Sequence, residues 1–245
     1  MQILYNVLVI PFLYVFFRIG ALFNEKIRKG LTGRNRLLTR IKNDLSSVTR
    51  QRIWFHIASY GEFEQARPVL RLLKQERPNS FIVVSFFSPS GYDHIKAVPP
   101  VDYTCYLPLD TFCGARRFLA IVKPAIGIIV RHDIWPNLLW AMRRKHIPAV
   151  LMDASIPEGS ARLWPIVRYF SRKLYDQFDR LLLISDDESR RMRLLVSDET
   201  KLIVTGDTKF DQVQKRALET ARIDDLLNNA YLKSRKIFIV GSSWP

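Results

Sequence analysis

The sequence predicts an α/β protein with a Rossmann-like parallel sheet, preceded by an N-terminal membrane-anchoring helix. Three observations lead to this prediction. From residue 52 onward, short apolar runs alternate with amphipathic stretches, which is the pattern of repeated strand and helix units. Runs such as residues 126–130 are continuously apolar, as in strands that are covered on both faces. The first 23 residues are almost wholly apolar.

The apolar segment comes first along the chain. Its length is borderline, because crossing a bilayer takes about 20 apolar residues. Gln2, Asn6, Pro11 and Arg18 all make crossing more costly. No cleavage site of small residues follows, so a retained anchor is favoured over a signal peptide or an ordinary buried helix.

The positive charge of the chain is concentrated just after this segment. The net charge is +15, from 38 Lys and Arg against 23 Asp and Glu, and such a surface is expected to bind phosphates. The stretch 26–42 is especially basic, so by the positive-inside rule it should stay in the cytoplasm, against an anionic membrane surface. No nucleic-acid partner is expected, because no nucleic-acid-binding motif is present. Residues 1–45 are therefore interpreted as an anchor and a basic juxtamembrane segment.

Seven strands are predicted in the remainder of the chain, with plausible helices between them. They cover residues 53–58, 81–86, 103–107, 125–130, 149–152, 181–184 and 202–204, and a helix over 62–75 follows the first. Crossover helices of this kind imply parallel pairing. A helical stretch over 211–232 then precedes an apolar run over 237–240 and a glycine-containing loop over 241–245. The domain boundaries are therefore set at 46–235 for the Rossmann-like domain and at 236–245 for the start of a second one.

Ligands of open parallel sheets bind beyond the carboxyl ends of the strands, so the loops there hold the candidate site residues. The first predicted strand is followed by Ser59, Gly61 and Glu62. Gly61 permits a tight turn and a close backbone approach. Glu62 is a candidate general base, but a carboxylate in a first helical turn also complements the helix dipole, and both interpretations stay open at this point.

Two further loops carry charged groups. Arg131, His132 and Asp133 follow the fourth strand and have no evident packing role. A hydrolytic triad is not expected from them, because the chain has no GxSxG motif. The segment 153–162 is polar and precedes an Arg-bearing and aromatic helix, which suits either an anionic headgroup or a solvated helix face. The last loop, 205–211, offers Lys209 between two carboxylates.

Taken in order, these loops resemble the Kdo transferases, GT-B glycosyltransferases that add 3-deoxy-D-manno-octulosonic acid (Kdo) to a lipid A precursor. The resemblance spans nearly the whole chain and is carried by residues 29–34, 58–62, 135–137, 153–155, 160–162, 205–211 and 241–245. It implies that 46–235 bind the acceptor and that 236–245 begin the domain that binds the CMP-Kdo donor. Without that domain, the chain alone is expected to be inactive.

The resemblance also assigns roles to residues. Glu62 would be the catalytic base of an inverting transfer, and no metal or cofactor is expected. The implied substrate contacts are Ser59, Gly61, Arg131, Asp133, Asn137, Ser155, Ser160, Arg162 and Lys209. The chain departs from the family pattern twice, since Arg131 stands where an acidic residue is usual and Asp207 where many members have asparagine.

The expected location is the bacterial inner membrane, with the globular part on its cytoplasmic face. Cys105 and Cys113 fit that location, because their spacing indicates neither a disulfide nor a zinc site. Two alternatives remain: another GT-B glycosyltransferase, or a non-catalytic basic module that binds a membrane surface. The loop 59–62 combined with 135–137 favours a Kdo transferase over the first, and the case for the second rests on charge alone.

Overall fold

The structure, a computed structural model, describes residues 1–95 and 99–218. Within them, seven parallel strands form one sheet in the order β3-β2-β1-β4-β5-β6-β7. The strands are β1 Arg52–Ile57, β2 Phe81–Phe86, β3 Tyr103–Tyr106, β4 Ile126–Val130, β5 Ala149–Ala154, β6 Arg180–Leu183 and β7 Leu202–Val204. All seven predicted strands are confirmed, with ends that differ by at most two residues. The predicted strand 237–240 and the loop 241–245 lie outside the described residues.

Helices connect the strands and cover both faces of the sheet. In chain order the helices are α1 Gln2–Phe23, α2 Glu25–Gly33, α3 Leu37–Asp44, α4 Tyr60–Glu76, α5 Pro89–His94, α6 Phe112–Val122, α7 Pro136–Arg144, α8 Pro165–Tyr175, α9 Asp186–Met192 and α10 Thr208–Leu218. α1 includes a π-helical segment, Tyr5–Val9. The helix predicted over 211–232 is seen as α10 up to Leu218, and its remainder lies outside the described residues. The predicted α/β fold with a parallel sheet, preceded by an apolar N-terminal helix, is therefore confirmed.

The core consists of two apolar layers, one on each face of the sheet. Neighbouring residues of β1 point to opposite layers, so that Trp54 packs with Phe118 of α6 while Phe55 packs with Phe63 of α4. All four side chains are fully buried. Burial of a large apolar side chain stabilises the fold by about 1.5–3 kcal/mol. The continuously apolar strands thus contribute side chains to both layers.

The basic segment after α1 takes part in the core as well. Leu37 and Ile41 of α3, and Leu45 just after it, are buried against the sheet. Arg34 donates hydrogen bonds to the carbonyl oxygens of Leu107 (2.7 Å) and Phe87 (2.8 Å). Its guanidinium is therefore bound within the protein and does not contact lipid headgroups. Part of the positive charge in this segment therefore has a structural role.

Candidate active site at the switch point of the sheet

The strand order reverses its direction of growth between β1 and β4, so their two carboxyl ends flank the crevice in which such sheets bind ligands. β1 and β4 are hydrogen-bonded neighbours, with His56 opposite Ile129. The loops that follow them carry Glu62 and Asp133. Pairing of two strands that are far apart in the sequence thus brings these two predicted site residues close together.

Glu62 lies in the first turn of α4, as the helix-dipole interpretation expects, and it also caps the helix. Its Oε2 atom accepts a hydrogen bond of 3.1 Å from the backbone N–H of Ser59, the residue before the first turn of α4. Burial nevertheless raises the pKa of Glu62, and the nearby charge of Asp133 raises it further, against the lowering effect of the backbone hydrogen bonds. A cap and a general base are therefore compatible at this residue.

Space is available beside Glu62. A Cβ atom built on Gly61 would meet no described atom within 4 Å, so the backbone of this turn faces an open region. The glycine is thus not required by packing within the described part of the chain. The open region leaves room for a ligand to approach this backbone closely.

Asp133 is held by a hydrogen-bonded chain that runs through the core. Its Oδ2 atom lies 2.8 Å from Nε2 of the fully buried His56, whose Nδ1 lies 3.0 Å from Oγ of Ser85. The indole N–H of Trp54 donates to the same Oγ at 2.9 Å. Nδ1 also lies 3.2 Å from the backbone oxygen of Ser85, so both oxygen atoms of that residue hold the imidazole in place. A carboxylate only accepts hydrogen bonds, so Nε2 of His56 donates to Asp133.

Sequence analysis missed His56, Ser85 and Trp54, because they lie inside apolar strands and not in loops. The available signal was a histidine in the middle of an otherwise apolar strand. Such a residue must find a partner when it is buried.

Arg131 lies in the next part of the site. Its backbone φ of 62° is in the left-handed region, which is uncommon for a residue with a Cβ. Its Nη2 atom lies 3.4 Å from the carboxylate of Asp207, and its side chain is only 24% exposed. The two positions that depart from the family pattern therefore form an ion pair with each other. The loops after β4 and β7 are joined by this contact.

A cluster of His132, Ser155 and Arg162 lies next to Arg131. The Nε2 atom of His132 is 3.4 Å from Oγ of Ser155, and burial together with the charges of Arg162 and Arg131 lowers its pKa. The imidazole is thus neutral near pH 7. The guanidinium of Arg162 donates to the hydroxyl of Tyr175 at 3.1 Å. Positive charge in this cluster is suited to bind an anionic group of a ligand.

The other predicted contacts lie at different places. Ser160 caps a short 3₁₀ turn, Ala161–Leu163, by accepting from the backbone N–H of Arg162 at 3.4 Å. Lys209 is exposed in the first turn of α10, where its backbone N–H donates to Asp207. Asn137 is only 1% exposed, and it contacts the N-terminal helix and the loop after β3. It is therefore not brought to the group around Glu62.

Metal binding is not indicated within the described ranges. In residues 1–95 and 99–218 there is no group of three or more His, Cys, Asp or Glu side chains that could hold a metal ion.

Comparison with known proteins connects these features to one family. Residues 32–212 match the family model of the 3-deoxy-D-manno-octulosonic-acid transferases (kdotransferases). The chain is 29% identical over 194 residues to the 3-deoxy-D-manno-octulosonic acid transferase of Haemophilus influenzae. The aligned region covers 79% of this chain and 45% of that protein. The chain is 34% identical over 160 residues to the Aquifex aeolicus protein of the same name, with 64% and 40% covered. The chain thus spans less than half of the length of these relatives.

Solved structures support the fold alone. The UDP-GlcNAc 2-epimerase of Neisseria meningitidis matches with a TM-score of 0.53 at 16% identity, over 74% of this chain and 54% of that one. The UDP-GlcNAc 2-epimerase of Methanocaldococcus jannaschii matches with a TM-score of 0.51 at 14% identity, over 73% and 52%.

Proposed function

Because this chain belongs to the 3-deoxy-D-manno-octulosonic-acid (Kdo) transferase family, we propose that it is the acceptor-binding half of an enzyme that transfers Kdo from CMP-Kdo to a lipid A precursor. One observation carries the proposal beyond family membership. The carboxylate of Glu62, with a raised pKa, lies at the switch point of the sheet beside Asp133 and open space. A general base for a sugar hydroxyl needs such a position and such a pKa.

The proposed reaction uses Glu62 as the base. Glu62 takes the proton of an acceptor hydroxyl while the oxygen attacks the anomeric carbon of Kdo. The bond from that carbon to the phosphate oxygen breaks, and CMP leaves with the bonding electrons, so that the configuration inverts. Burial and the charge of Asp133 bring the pKa of Glu62 closer to the working pH, which strengthens it as a base.

Asp133 is proposed to act through its position. His56 donates to one of its oxygens and fixes the carboxylate near Glu62, where its negative charge favours proton uptake by Glu62. Arg162, beside the neutral His132, is proposed to bind an acidic group of the acceptor. Ser59, Gly61, Ser155, Ser160 and Lys209 stay predicted substrate contacts.

We further propose that the chain works at the cytoplasmic face of the bacterial inner membrane. α1 is long and apolar enough to cross a membrane, and the residues that follow it are strongly basic. An acceptor that is itself a lipid requires an enzyme held at the bilayer. The membrane-anchored location and the acceptor class therefore support each other.

The test is a comparison of two substitutions in the same helix, made in the complete reading frame. Glu62→Gln removes the base but keeps the helix cap, because glutamine serves equally at the third position of a capping box. Glu76→Gln, at the exposed end of α4, is the matched control. Transfer from CMP-Kdo to a tetraacylated lipid A precursor should fall at least about 100-fold in the first variant and stay unchanged in the second. Full activity of a folded Glu62→Gln protein would remove Glu62 as the base.

A further inference from the structure

α1 is fastened to the globular domain by polar contacts at its beginning. Asn6 and Asn137 exchange two hydrogen bonds, each of 2.9 Å, between their side-chain amides. The hydroxyl of Tyr5 donates to the carboxylate of Asp110 at 3.0 Å. Arg144 of α7 donates to the side-chain oxygen of Gln2 at 2.6 Å. These residues give the polar side chains of an otherwise apolar helix their partners.

The contact continues along most of the helix. The ring centroids of Phe17 and Phe87 are 5.7 Å apart, and Leu13 lies beside Trp135 in a small apolar cavity. From Gln2 to Phe17 the contacts cover about 22 Å of a helix that is about 33 Å long, at a rise of 1.5 Å per residue. α1 thus lies along the domain and does not project from it.

This packing conflicts with a helix that crosses the bilayer. If α1 crossed, the loops attached to it would have to enter the hydrocarbon together with the carboxylate of Asp110 and the backbone around Asn137. Irregular backbone and charged groups are not tolerated in contact with lipid tails. The part of α1 beyond Phe17 is six residues, which is far too short to cross alone.

The outer face of α1 is nevertheless apolar and exposed. Ten residues on it are each more than half exposed: Ile3, Leu4, Val7, Leu8, Phe12, Val15, Phe16, Ile19, Leu22 and Phe23. Arg18 is exposed among them and donates to the hydroxyl of Tyr14, and its long side chain can extend to the headgroups. An apolar face of this size marks a surface that is covered by a membrane or by a partner. The basic residues that follow it favour an anionic bilayer as the occupant.

α8 extends the same surface. Its exposed apolar side chains include Trp164, just before the helix, with Ile166 and Tyr169. Leu4 of α1 and Phe170 of α8 line one apolar groove of about 330 Å³, so the two exposed faces adjoin. α8 also carries exposed basic residues, which complement anionic headgroups: Arg168, Arg172 and Lys173. Aromatic and basic residues on one short helix are typical of a helix that lies at a membrane interface.

We propose that α1 and α8 form one docking surface that enters a single leaflet of an anionic bilayer, so that the chain is embedded in the membrane without crossing it. α1 contacts the loops after β2 and β3 and the start of α7, which lie at the same edge of the sheet as Glu62. The candidate site therefore opens at the depth of the headgroups. A lipid acceptor can present its sugar there while its acyl chains stay in the leaflet. The inference rests on the proposed membrane association but not on catalysis.

Sidedness of the N-terminus tests this proposal. A hydrophilic tag with one cysteine is added before Met1, and a membrane-impermeant maleimide is applied to sealed inverted vesicles of anionic lipid composition. Cys113, exposed on the globular domain, is the internal reference, and Cys105 is buried. The tag and Cys113 should both be labelled without detergent. A tag that is labelled only after detergent, or a protein that does not float with the vesicles, would overturn the proposal.

A cross-link tests the packing of α1 in the membrane. The pair Phe17→Cys and Phe87→Cys, in a Cys113→Ser background, should be joined by a short bismaleimide. The control pair Val15→Cys and Phe87→Cys should not be joined, because Val15 is on the exposed face. Equal yields for both pairs, or no cross-link in the first, would contradict a helix that lies along the domain. Kdo transfer is measured separately, so failure here would leave the role of Glu62 untouched.

Discussion

Arg131 and Asp207 are expected to contribute to stability as a pair, and exchanging them for the residues usual in the family should reveal the coupling. Arg131→Glu alone places a second carboxylate against Asp207. Asp207→Asn alone leaves the partly buried guanidinium without the carboxylate that it contacts. The double substitution restores an acid beside an amide, which can hydrogen-bond to each other. The double variant should therefore be more stable than the sum of the two single effects indicates.

The magnitude follows from the geometry. Two unit charges about 4 Å apart interact by about 4 kcal/mol at an effective dielectric constant of 20. The side chains of Arg131 and Asp207 are 24% and 15% exposed, so solvent screening and desolvation reduce the net value to about 1 kcal/mol. Reversing one charge replaces this attraction by repulsion of similar size, so Arg131→Glu should cost about 2 kcal/mol. The backbone strain at residue 131 is unchanged, since both side chains have a Cβ.

Thermal unfolding in detergent measures the effect. A loss of about 2 kcal/mol should lower Tm by about 4–8 °C in a chain of this size. The double variant should recover at least half of that loss. If the losses of stability in the two single variants add up to that of the double variant within about 0.5 kcal/mol, the proposed coupling of Arg131 and Asp207 is refuted.

Four further predictions concern titration and the need for a donor domain. The kcat/KM of the complete enzyme should rise with pH through the pKa of Glu62, which lies above the ordinary value of a glutamate. Glu62→Gln should abolish this rise. If the rise persists in the variant, another group is responsible for it. The depressed pKa of His132 means that the folded state binds fewer protons, so stability should fall as pH drops through about 6.5, the unfolded value. Arg162→Met should raise the pKa of His132 in an NMR titration. An unchanged pKa would show that the charge of Arg162 does not act on His132. Residues 1–245 alone should bind acceptor vesicles without detectable Kdo transfer, and transfer by this chain would contradict the need for a donor domain.

Sequence analysis recovered the features that depend on local pattern. The seven strands and α4 follow from apolar periodicity and from the turn at Ser59 and Gly61, because each is defined within about ten residues of chain. Sequence analysis placed Glu62 in a first helical turn but did not predict its cap, although donor and acceptor are only three residues apart. The family resemblance favoured the role of base, which the spacing of these residues could not distinguish from a carboxylate that complements the helix dipole.

The remaining features depend on contacts between distant parts of the chain. His56 meets Asp133 across 77 residues and Arg131 meets Asp207 across 76, and neither contact leaves a periodic signal in the sequence. Composition alone also made α1 equally suited to crossing the bilayer or to lying on it. In the proposed docking, the contact of Asn6 with Asn137 separates these alternatives, because Asn137 is buried 131 residues away and its side-chain amide needs a partner. Local residue order thus sets where helices and strands form, whereas long-range packing sets which polar groups meet, since a buried polar group is stable only with its partner present.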